Sequence, residues 1–392
     1  MPTPTDSDPA DARGTLTTIV WLSAVGAVTF NIQPLYLGAL AEHLGLGPSR
    51  LGFVAGVEIL GAALAGVAAS FWIRRLSWRR VAGGALVVMI AGNLLSVLVT
   101  DYAALLALRF LTGLCGSGTV YALSLAALGD TRHADRNFAI ALFAQVGLAI
   151  LGYLVLPGLV PSAGTAAIFL PLAAVAGLAL PLLRALPGGP VPERPARPEA
   201  AHGAGAAPAA IWLALLCQFV WFLGLGGLWA FLERIGDAAG LEPGAVGNAI
   251  AAGMAMGLLG ALAAAVLADR VGRTLPFSVA LATQLVAMTL LGDVGSLSAF
   301  VVAVALYNAT WNFALPYLFS LAAAADATGT RVVLLAAAQT VGLTIGASLA
   351  GVLVEHTGLG GAVVQGVLAV LTAMALFATA ARLTDAWRAP RP

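Results

Sequence analysis

Twelve long apolar stretches run through this chain of 392 residues, and they limit the possible folds more than any other feature. A helix needs about 20 mostly apolar residues to cross a bilayer. Only 9% of the residues are charged, whereas a soluble domain carries about 25%. The sequence therefore predicts an all-α membrane protein with twelve transmembrane helices. We number them spans 1 to 12, near residues 16–40, 51–73, 81–100, 103–128, 137–159, 165–185, 210–232, 244–267, 274–292, 297–322, 331–354 and 361–382.

The second half of the chain resembles the first at an offset of 196 residues, which is half of its length. Tyr121–Ala127 reads Tyr-Ala-Leu-Ser-Leu-Ala-Ala and returns at Tyr317–Ala323 as Tyr-Leu-Phe-Ser-Leu-Ala-Ala. Gly61 and Gly257 keep the same offset. We therefore expect two pseudo-symmetric six-helix bundles, an arrangement that lets a transporter open a central site to each side of the membrane in turn.

A Pro-, Ala- and Gly-rich segment, Pro187–Pro208, separates the two halves and is typical of an extended linker. The domain organisation predicted from it has five parts. They are an N-terminal tail (1–14), a six-helix bundle (15–186), the linker (187–208), a second bundle (209–384) and a C-terminal tail (385–392).

The distribution of arginine predicts the orientation of the chain. All 19 basic residues are Arg, and 16 of them fall on one side if both termini are placed in the cytoplasm, against two in the outer loops. This asymmetry agrees with the positive-inside rule. The many Ala and Gly residues and the absence of Lys indicate a GC-rich bacterial genome. We therefore expect a multi-pass protein of the bacterial inner (plasma) membrane with both termini and the linker in the cytoplasm.

A short charged motif, Asp269-Arg270-Val271-Gly272-Arg273, follows span 8. It resembles the Asp-Arg-x-Gly-Arg core of the signature loop of the major facilitator superfamily, which lies between helices 2 and 3 and often again between helices 8 and 9. In this chain the loop between spans 2 and 3 has the arginines but neither the Asp nor the Gly. The resemblance implies the fold of that superfamily. It also implies a gating role for Asp269, Arg270, Gly272 and Arg273, whose ion pairs would latch the cytoplasmic side.

Span 4 carries a second resemblance, because Arg109 is followed by Gly113. This Arg-x-x-x-Gly spacing is similar to a pattern of proton-coupled members of the superfamily. Span 5 has Pro157 only near its outer end and lacks the Gly-Pro-rich motif of many drug antiporters. The resemblance as a whole implies a twelve-helix, proton-coupled transporter similar to bacterial drug or metabolite exporters.

Glu58 and Arg109 are the two ionisable residues predicted to lie well inside the spans. Glu58 follows Arg50 by eight residues and Arg109 follows Asp101 by eight, so both should lie about 12 Å below the outer surface. Equal depth makes an ion pair plausible, and buried charges generally indicate function or pairing. Three roles remain open: proton coupling by Glu58 with Arg109 tuning it, a permanent structural pair, or direct contact of Arg109 with substrate.

Polar residues at mid-depth are the candidate substrate contacts. Asn308, Trp311 and Asn312 share one face of span 10 because they follow i, i+3, i+4 spacing. Each amide could instead form a hydrogen bond between helices. The full candidate set is Asn31, Gln33, Gln145, Gln218, Trp221, Asn308, Trp311, Asn312 and Gln339.

The function class that these observations favour is a secondary transporter that exports a small organic molecule across the inner membrane by proton-coupled alternating access. Proton-coupled uptake of a sugar or organic acid is the first alternative, and a non-transporting receptor or scaffold on the same fold is the second. An enzyme is disfavoured because all four His residues fall in predicted loops or the linker. Without Lys the chain has no Gly-x-x-x-x-Gly-Lys nucleotide loop. We expect no cofactor, no metal and no nucleic-acid partner, and a monomer that contacts substrate, proton and lipid.

Overall fold

The computed structural model describes residues 12–189, 208–267, 270–326, 331 and 334–388. Within these ranges every regular element is helical. Twelve helical stretches among them are long and apolar enough to cross a membrane, which confirms the predicted all-α class and the number of spans. Most of the predicted linker (187–208) and part of each predicted tail lie outside the described residues.

The chain forms two compact units. The first comprises Met1–Leu44 and Val57–Arg194, and the second comprises Gly45–Gly56 and Pro195–Pro392. The start of span 2 thus clusters with the second unit, although the rest of that span belongs to the first. The helices up to the linker are Arg13–Asn31, Gln33–Leu44, Pro48–Trp72, Trp78–Leu98, Tyr102–Leu111, Gly118–Gly129, Ala134–Val155, Val160–Ala163 and Ala166–Leu182. The helices after the linker are Pro208–Ala230, Leu232–Ala238, Pro243–Leu267, Thr274–Gly292, Leu297–Ala325, Leu334–Thr357 and Gly360–Arg388.

Span 1 is interrupted at Ile32, where the sequence predicted one continuous helix. The φ and ψ angles of Ile32 are −101° and 16°, outside the helical range. Pro34 follows two residues later, and a proline has no N–H to donate and its ring crowds the carbonyl four residues before it. The break lets Gln33–Leu44 begin as a new helix, and Tyr36 lies in its first turn.

Span 4 contains a π-helical segment, Thr112–Ser117, between two α-helical parts. It lies directly after Arg109, and its glycines pack closely on neighbouring spans. A Cβ on Gly113 would contact the carbonyl oxygen of Glu58, and one on Gly116 would lie 2.7 Å from Cγ of Met89. π-segments are rare and are frequent at functional sites. The sequence did not predict this one.

The core of the first unit is built from the inward faces of several spans. Leu22, Trp78, Leu86, Met89 and Leu123 are fully or almost fully buried within it. The indole N–H of Trp78 donates to the carbonyl of Ile73 at 2.7 Å, which closes the turn between spans 2 and 3. The core therefore fixes the end of span 2 relative to the start of span 3.

Large apolar side chains also cover the outside of both units. Phe71 is 70% exposed, Leu178 is 61% exposed and Leu275 is 64% exposed. Contiguous apolar surface of this kind is unfavourable in water and favourable against lipid chains. The exposed surface therefore supports the membrane assignment independently of span length.

Candidate functional site

A buried ion pair lies inside the first unit, where the sequence predicted two charges at equal depth. Nη1 of Arg109 is 3.7 Å from Oε1 of Glu58. Arg109 is fully buried and Glu58 is 6% exposed. The pair is a loose contact, because close hydrogen bonds between guanidinium and carboxylate are typically 2.7–2.9 Å.

Neutral acceptors on span 3 hold the guanidinium of Arg109 more tightly than Glu58 does. Its Nη2 donates to the hydroxyl of Ser96 at 2.6 Å and to the carbonyl of Gly92 at 2.9 Å, and Nη1 donates to Oδ1 of Asn93 at 3.2 Å. The ring of Phe169 lies 4.9 Å from its Cζ, within cation–π range. The charge of Arg109 is thus stabilised by several groups besides the carboxylate.

Tyr36 completes this cluster. Its hydroxyl donates to Oε2 of Glu58 at 3.0 Å, and its side chain is buried. Sequence analysis gave no functional role to Tyr36, Asn93 or Ser96. The available signal in the sequence was Pro34, because a proline interrupts a helix and the next helix then begins in a new direction. We call Tyr36, Glu58, Asn93, Ser96 and Arg109 the charged cluster.

Gln145 and Asn31, two other candidates of the first unit, form hydrogen bonds away from the ion pair, whereas the side chain of Gln33 lies beside Tyr36. Nε2 of Gln145 donates to the hydroxyl of Ser23 at 2.8 Å, joining spans 5 and 1. Asn31 is half-buried, and its carbonyl accepts from the hydroxyl of Tyr153 at 3.2 Å. Gln33 is buried, and its Oε1 has no hydrogen-bond partner among the residues that the structure describes. Their roles in substrate binding stay predictions.

Span 10 brings its three candidates to one face, as the spacing predicted. Trp311 and Asn312 are partly exposed, and Asn308 is 5% exposed. Nδ2 of Asn308 donates to the carbonyl of Val304, and Nδ2 of Asn312 donates to the carbonyl of Asn308, each at 3.0 Å. The helix runs unbroken from Leu297 to Ala325 through Pro316.

Two of the candidate residues, Trp221 and Gln218, lie on span 7. Trp221 is fully buried, and its indole N–H donates to Oε1 of Gln284 at 2.8 Å. Nε2 of Gln218 donates to Oε1 of Gln339 on span 11 at 3.1 Å. Gln339 is the partly exposed member of these four residues.

The predicted gating motif is only partly described. Asp269 lies outside the described residues. Gly272 has a φ of 64°, a left-handed conformation that favours glycine, and Nη2 of Arg273 is 3.0 Å from Oδ1 of Asp385 on span 12. The backbone N–H of Arg270 donates to the carbonyl of Leu267 at the end of span 8. A cleft of about 670 Å³ opens beside this loop, with Arg273, Tyr317, Ser320 and Asp385 among its lining residues.

The loop between spans 2 and 3 carries an ion pair of its own. Nη1 and Nη2 of Arg74 contact Oδ2 and Oδ1 of Asp130, at 2.8 and 2.9 Å. This bidentate pair joins the end of span 2 to the end of span 4. In the described part of the chain, no group of three or more His, Cys, Asp or Glu residues is arranged to hold a metal ion.

Comparison with known sequences decides the family. The sequence model of the Major Facilitator Superfamily matches residues 19–326, well over half of the chain. The chain belongs to the major facilitator superfamily. The resemblance inferred from the motif after span 8 is thereby confirmed. No curated protein matches this member of the superfamily.

Solved structures share the fold of this major facilitator chain. A mutant of the nucleoside transporter NupG aligns with a TM-score of 0.74 at 11% identity, over 94% of this chain and 99% of that one. A bacterial homolog of the human lysosomal transporter Spinster, inward-facing and unoccupied, aligns with a TM-score of 0.72 at 13% identity, over 98% and 100%. At this identity the likeness shows the fold alone. Family and fold support a secondary transporter in general, and members of the family are generally non-enzymatic carriers.

Proposed function

We propose that the chain exports a small organic molecule across the bacterial inner membrane by proton-coupled alternating access, with Glu58 as the residue that takes up and releases the proton. The observation that carries the proposal is the loose contact of 3.7 Å between Glu58 and Arg109. A carboxylate and an arginine that served only as a structural pair would be expected to lie closer.

The acceptors on span 3 make a change of charge on Glu58 tolerable. If Glu58 were protonated, Arg109 would keep its hydrogen bonds to Ser96, Gly92 and Asn93. Removing one partner of a buried ion pair is costly because the other charge is left uncompensated. Here three neutral acceptors share that compensation, so Arg109 keeps hydrogen-bond partners when Glu58 is neutral.

Tyr36 supports both protonation states of Glu58. Its hydroxyl donates to the carboxylate at 3.0 Å. A hydroxyl has one donor and two acceptor lone pairs, so it can accept from the protonated carboxyl group after a small rotation. The hydrogen bond would therefore persist through the cycle, which is what a reversible proton site requires.

Two features of the sequence support the proposed orientation and direction of transport. The bias of 16 arginines against two supports cytoplasmic termini, and the Arg109-x-x-x-Gly113 resemblance supports export. Reporter fusions at residue 12 and within 190–207 should both report the cytoplasm. A linker fusion that reports the opposite side from the termini would overturn the proposed orientation.

Proteoliposomes that contain a pH-sensitive dye test the coupling. Purified protein is challenged with a panel of metabolites and antibiotics, and proton flux is recorded with each compound. Glu58→Gln should abolish the dependence on the pH gradient, and the exposed control Glu42→Gln should retain it. The sign of the flux separates export from uptake of a sugar or organic acid. Retained coupling in Glu58→Gln would refute the role of Glu58, and absence of flux with every compound would favour a receptor or scaffold.

A further inference from the structure

Trp311 is a fixed and partly exposed aromatic surface in the second unit. Three rings pack against it nearly edge-on, namely Phe222 at 5.7 Å, Tyr307 at 6.0 Å and Trp229 at 6.2 Å between centroids. The hydroxyl of Tyr307 donates a hydrogen bond of 2.8 Å to the carbonyl of Leu225. The three neighbours fix the orientation of the indole of Trp311 and present no free polar group toward it, so the ring is preorganised to stack on a flat ligand.

The amide of Asn312 lies next to this ring and is oriented by the backbone. Its Nδ2 donates to the carbonyl of Asn308. Because a carbonyl can only accept, the nitrogen and oxygen of this amide are assigned by chemistry. Nδ2 keeps a second N–H but lies against Gly257 of span 8, so the atom that Asn312 offers to a ligand is Oδ1, an acceptor. Asn308, one turn earlier, uses its nitrogen in the same way on Val304.

Two glycines of span 8 leave room for the amide nitrogens of Asn308 and Asn312. A Cβ on Gly257 would lie 2.8 Å from Nδ2 of Asn312, and one on Gly253 would lie 3.1 Å from Nδ2 of Asn308. The absence of a side chain at these two positions gives the nitrogens room against span 8. The oxygens are consequently the atoms available to other groups.

Span 10 itself offers a ligand no full charge. Its helix, Leu297–Ala325, carries Trp311 and Asn312 and contains no Asp, Glu, Lys or Arg. A charged ligand stacked on Trp311 would therefore meet no charged side chain on this span, and an unpaired buried charge is expensive.

We propose that the second unit recognises an uncharged, flat ring compound that donates a hydrogen bond from its edge, with Trp311 as the stacking surface and Asn312 Oδ1 as the acceptor. The inference rests on the proposed transport function, because it names the class of molecule that would be moved. It narrows the substrate from small organic molecules in general to aromatic or heteroaromatic rings with an N–H or O–H group.

Matched pairs of probes test the hydrogen bond to Asn312. The probes are benzimidazole with 1-methylbenzimidazole, uracil with 1,3-dimethyluracil and phthalimide with N-methylphthalimide, each measured by tryptophan fluorescence quenching and thermal shift in detergent. Glucose serves as a non-planar donor and N-methylquinolinium as a flat cation. We expect at least one N–H compound to bind about tenfold more tightly than its methylated partner. Glucose and the cation should bind more weakly than that compound.

Variants show whether Asn312 and Trp311 supply the contact. In Asn312→Leu the preference for the N–H compound over its methylated partner should fall to about one. Trp311→Leu should weaken both members of the pair about fivefold. Gly257→Ala should displace the amide and reduce the preference while the fold is kept, because the group that must move is the end of a flexible side chain. Trp212→Leu, at an exposed tryptophan, should change nothing.

Two sets of results would overturn the inference. One is equal binding of the N–H and methylated partners, or an unchanged preference in Asn312→Leu. The other is binding of none of the flat N–H compounds, or tighter binding of glucose or the cation. Binding in detergent needs neither a proton gradient nor turnover. A positive binding result with no proton flux would therefore refute the proposed coupling and leave this inference intact, whereas proton flux without binding of flat donors would do the reverse.

Discussion

The hydroxyl of Tyr36 donates a hydrogen bond of 3.0 Å to Oε2 of Glu58, although 22 residues and a loop separate them along the chain. After the break at Ile32 a new helix begins at Gln33, three residues before Tyr36. A residue that sequence patterns gave no role is thus the direct partner of the buried carboxylate. The contact yields the first prediction.

Tyr36→Phe should leave the ring packing in place and remove the donor from Glu58. A hydrogen bond to a charged group contributes about 1.5–3 kcal/mol, so we expect a clear fall in unfolding temperature and a loss of most gradient-driven transport. Tyr153→Phe is the matched control, because Tyr153 is equally buried but donates to the backbone carbonyl of Asn31. It should cost about 1 kcal/mol and keep coupling. Equal effects of the two variants on transport would contradict the role of Tyr36.

Ser96→Ala and Glu58→Gln should interact when combined. Ser96→Ala removes a hydrogen-bond acceptor that lies 2.6 Å from Arg109, and Glu58→Gln removes the negative charge of its ion-pair partner, so the double variant leaves the guanidinium less stabilised than either change alone. Contacting residues in one network typically show interaction energies of about 0.5–3 kcal/mol. We expect the loss of stability in the double variant to exceed the sum of the single losses, as measured by denaturation in detergent. Strict additivity would show that Ser96 and Glu58 stabilise Arg109 independently.

Gly61→Ala and Gly257→Ala should differ in stability although the two glycines are repeat counterparts. A Cβ on Gly61 would lie 2.5 Å from the carbonyl oxygen of Phe110 and 2.8 Å from the backbone nitrogen of Leu114, and neither can move without shifting span 4. The corresponding contact of Gly257 is with a movable side-chain amide. We expect a loss of about 1–3 kcal/mol for Gly61→Ala and a smaller one for Gly257→Ala, measured by thermal unfolding. Gly177→Ala, where nothing lies within 4 Å of the added carbon, is the control.

Asp130→Asn should weaken the bidentate contact with Arg74. The side chain of Arg74 is 49% exposed, so water screens much of the attraction, and exposed pairs contribute about 0–1 kcal/mol. We expect a loss of stability within that range that shrinks further in 0.5–1 M salt, because the Debye length falls to about 3 Å at 1 M. A loss that is independent of salt would show that packing of Asp130, rather than its charge, joins spans 2 and 4.

The sequence was sufficient for features that depend on position along a span. Apolar length predicted the twelve spans, and the matching offsets of Glu58 and Arg109 from the span ends predicted two charges at one depth, which the structure brings to 3.7 Å. The shared face of Asn308, Trp311 and Asn312 also follows from helical spacing alone.

Features that depend on the rotation of one span against another could not be predicted. The spans are apolar on all sides, so periodicity does not show which face of span 3 meets Arg109, and Asn93 and Ser96 were overlooked for that reason. The π-segment of span 4 has no local sequence signal beyond its glycines. The packing of Trp221 against Phe277 on span 9 likewise depends on a contact between residues far apart in sequence.

The segment Thr112–Ser117 fits one more residue into its turns than an α-helix would. A single residue advances an α-helix by about 100° about its axis. The extra residue therefore sets the angle about that axis between Arg109, which precedes the segment, and Tyr121, which follows it. A shortening of this segment by one residue would let span 4 become regular while its two ends keep their facing directions. The same deletion elsewhere in span 4 would rotate one end of the helix by about 100° about its axis. Arg109 would then turn away from its partners.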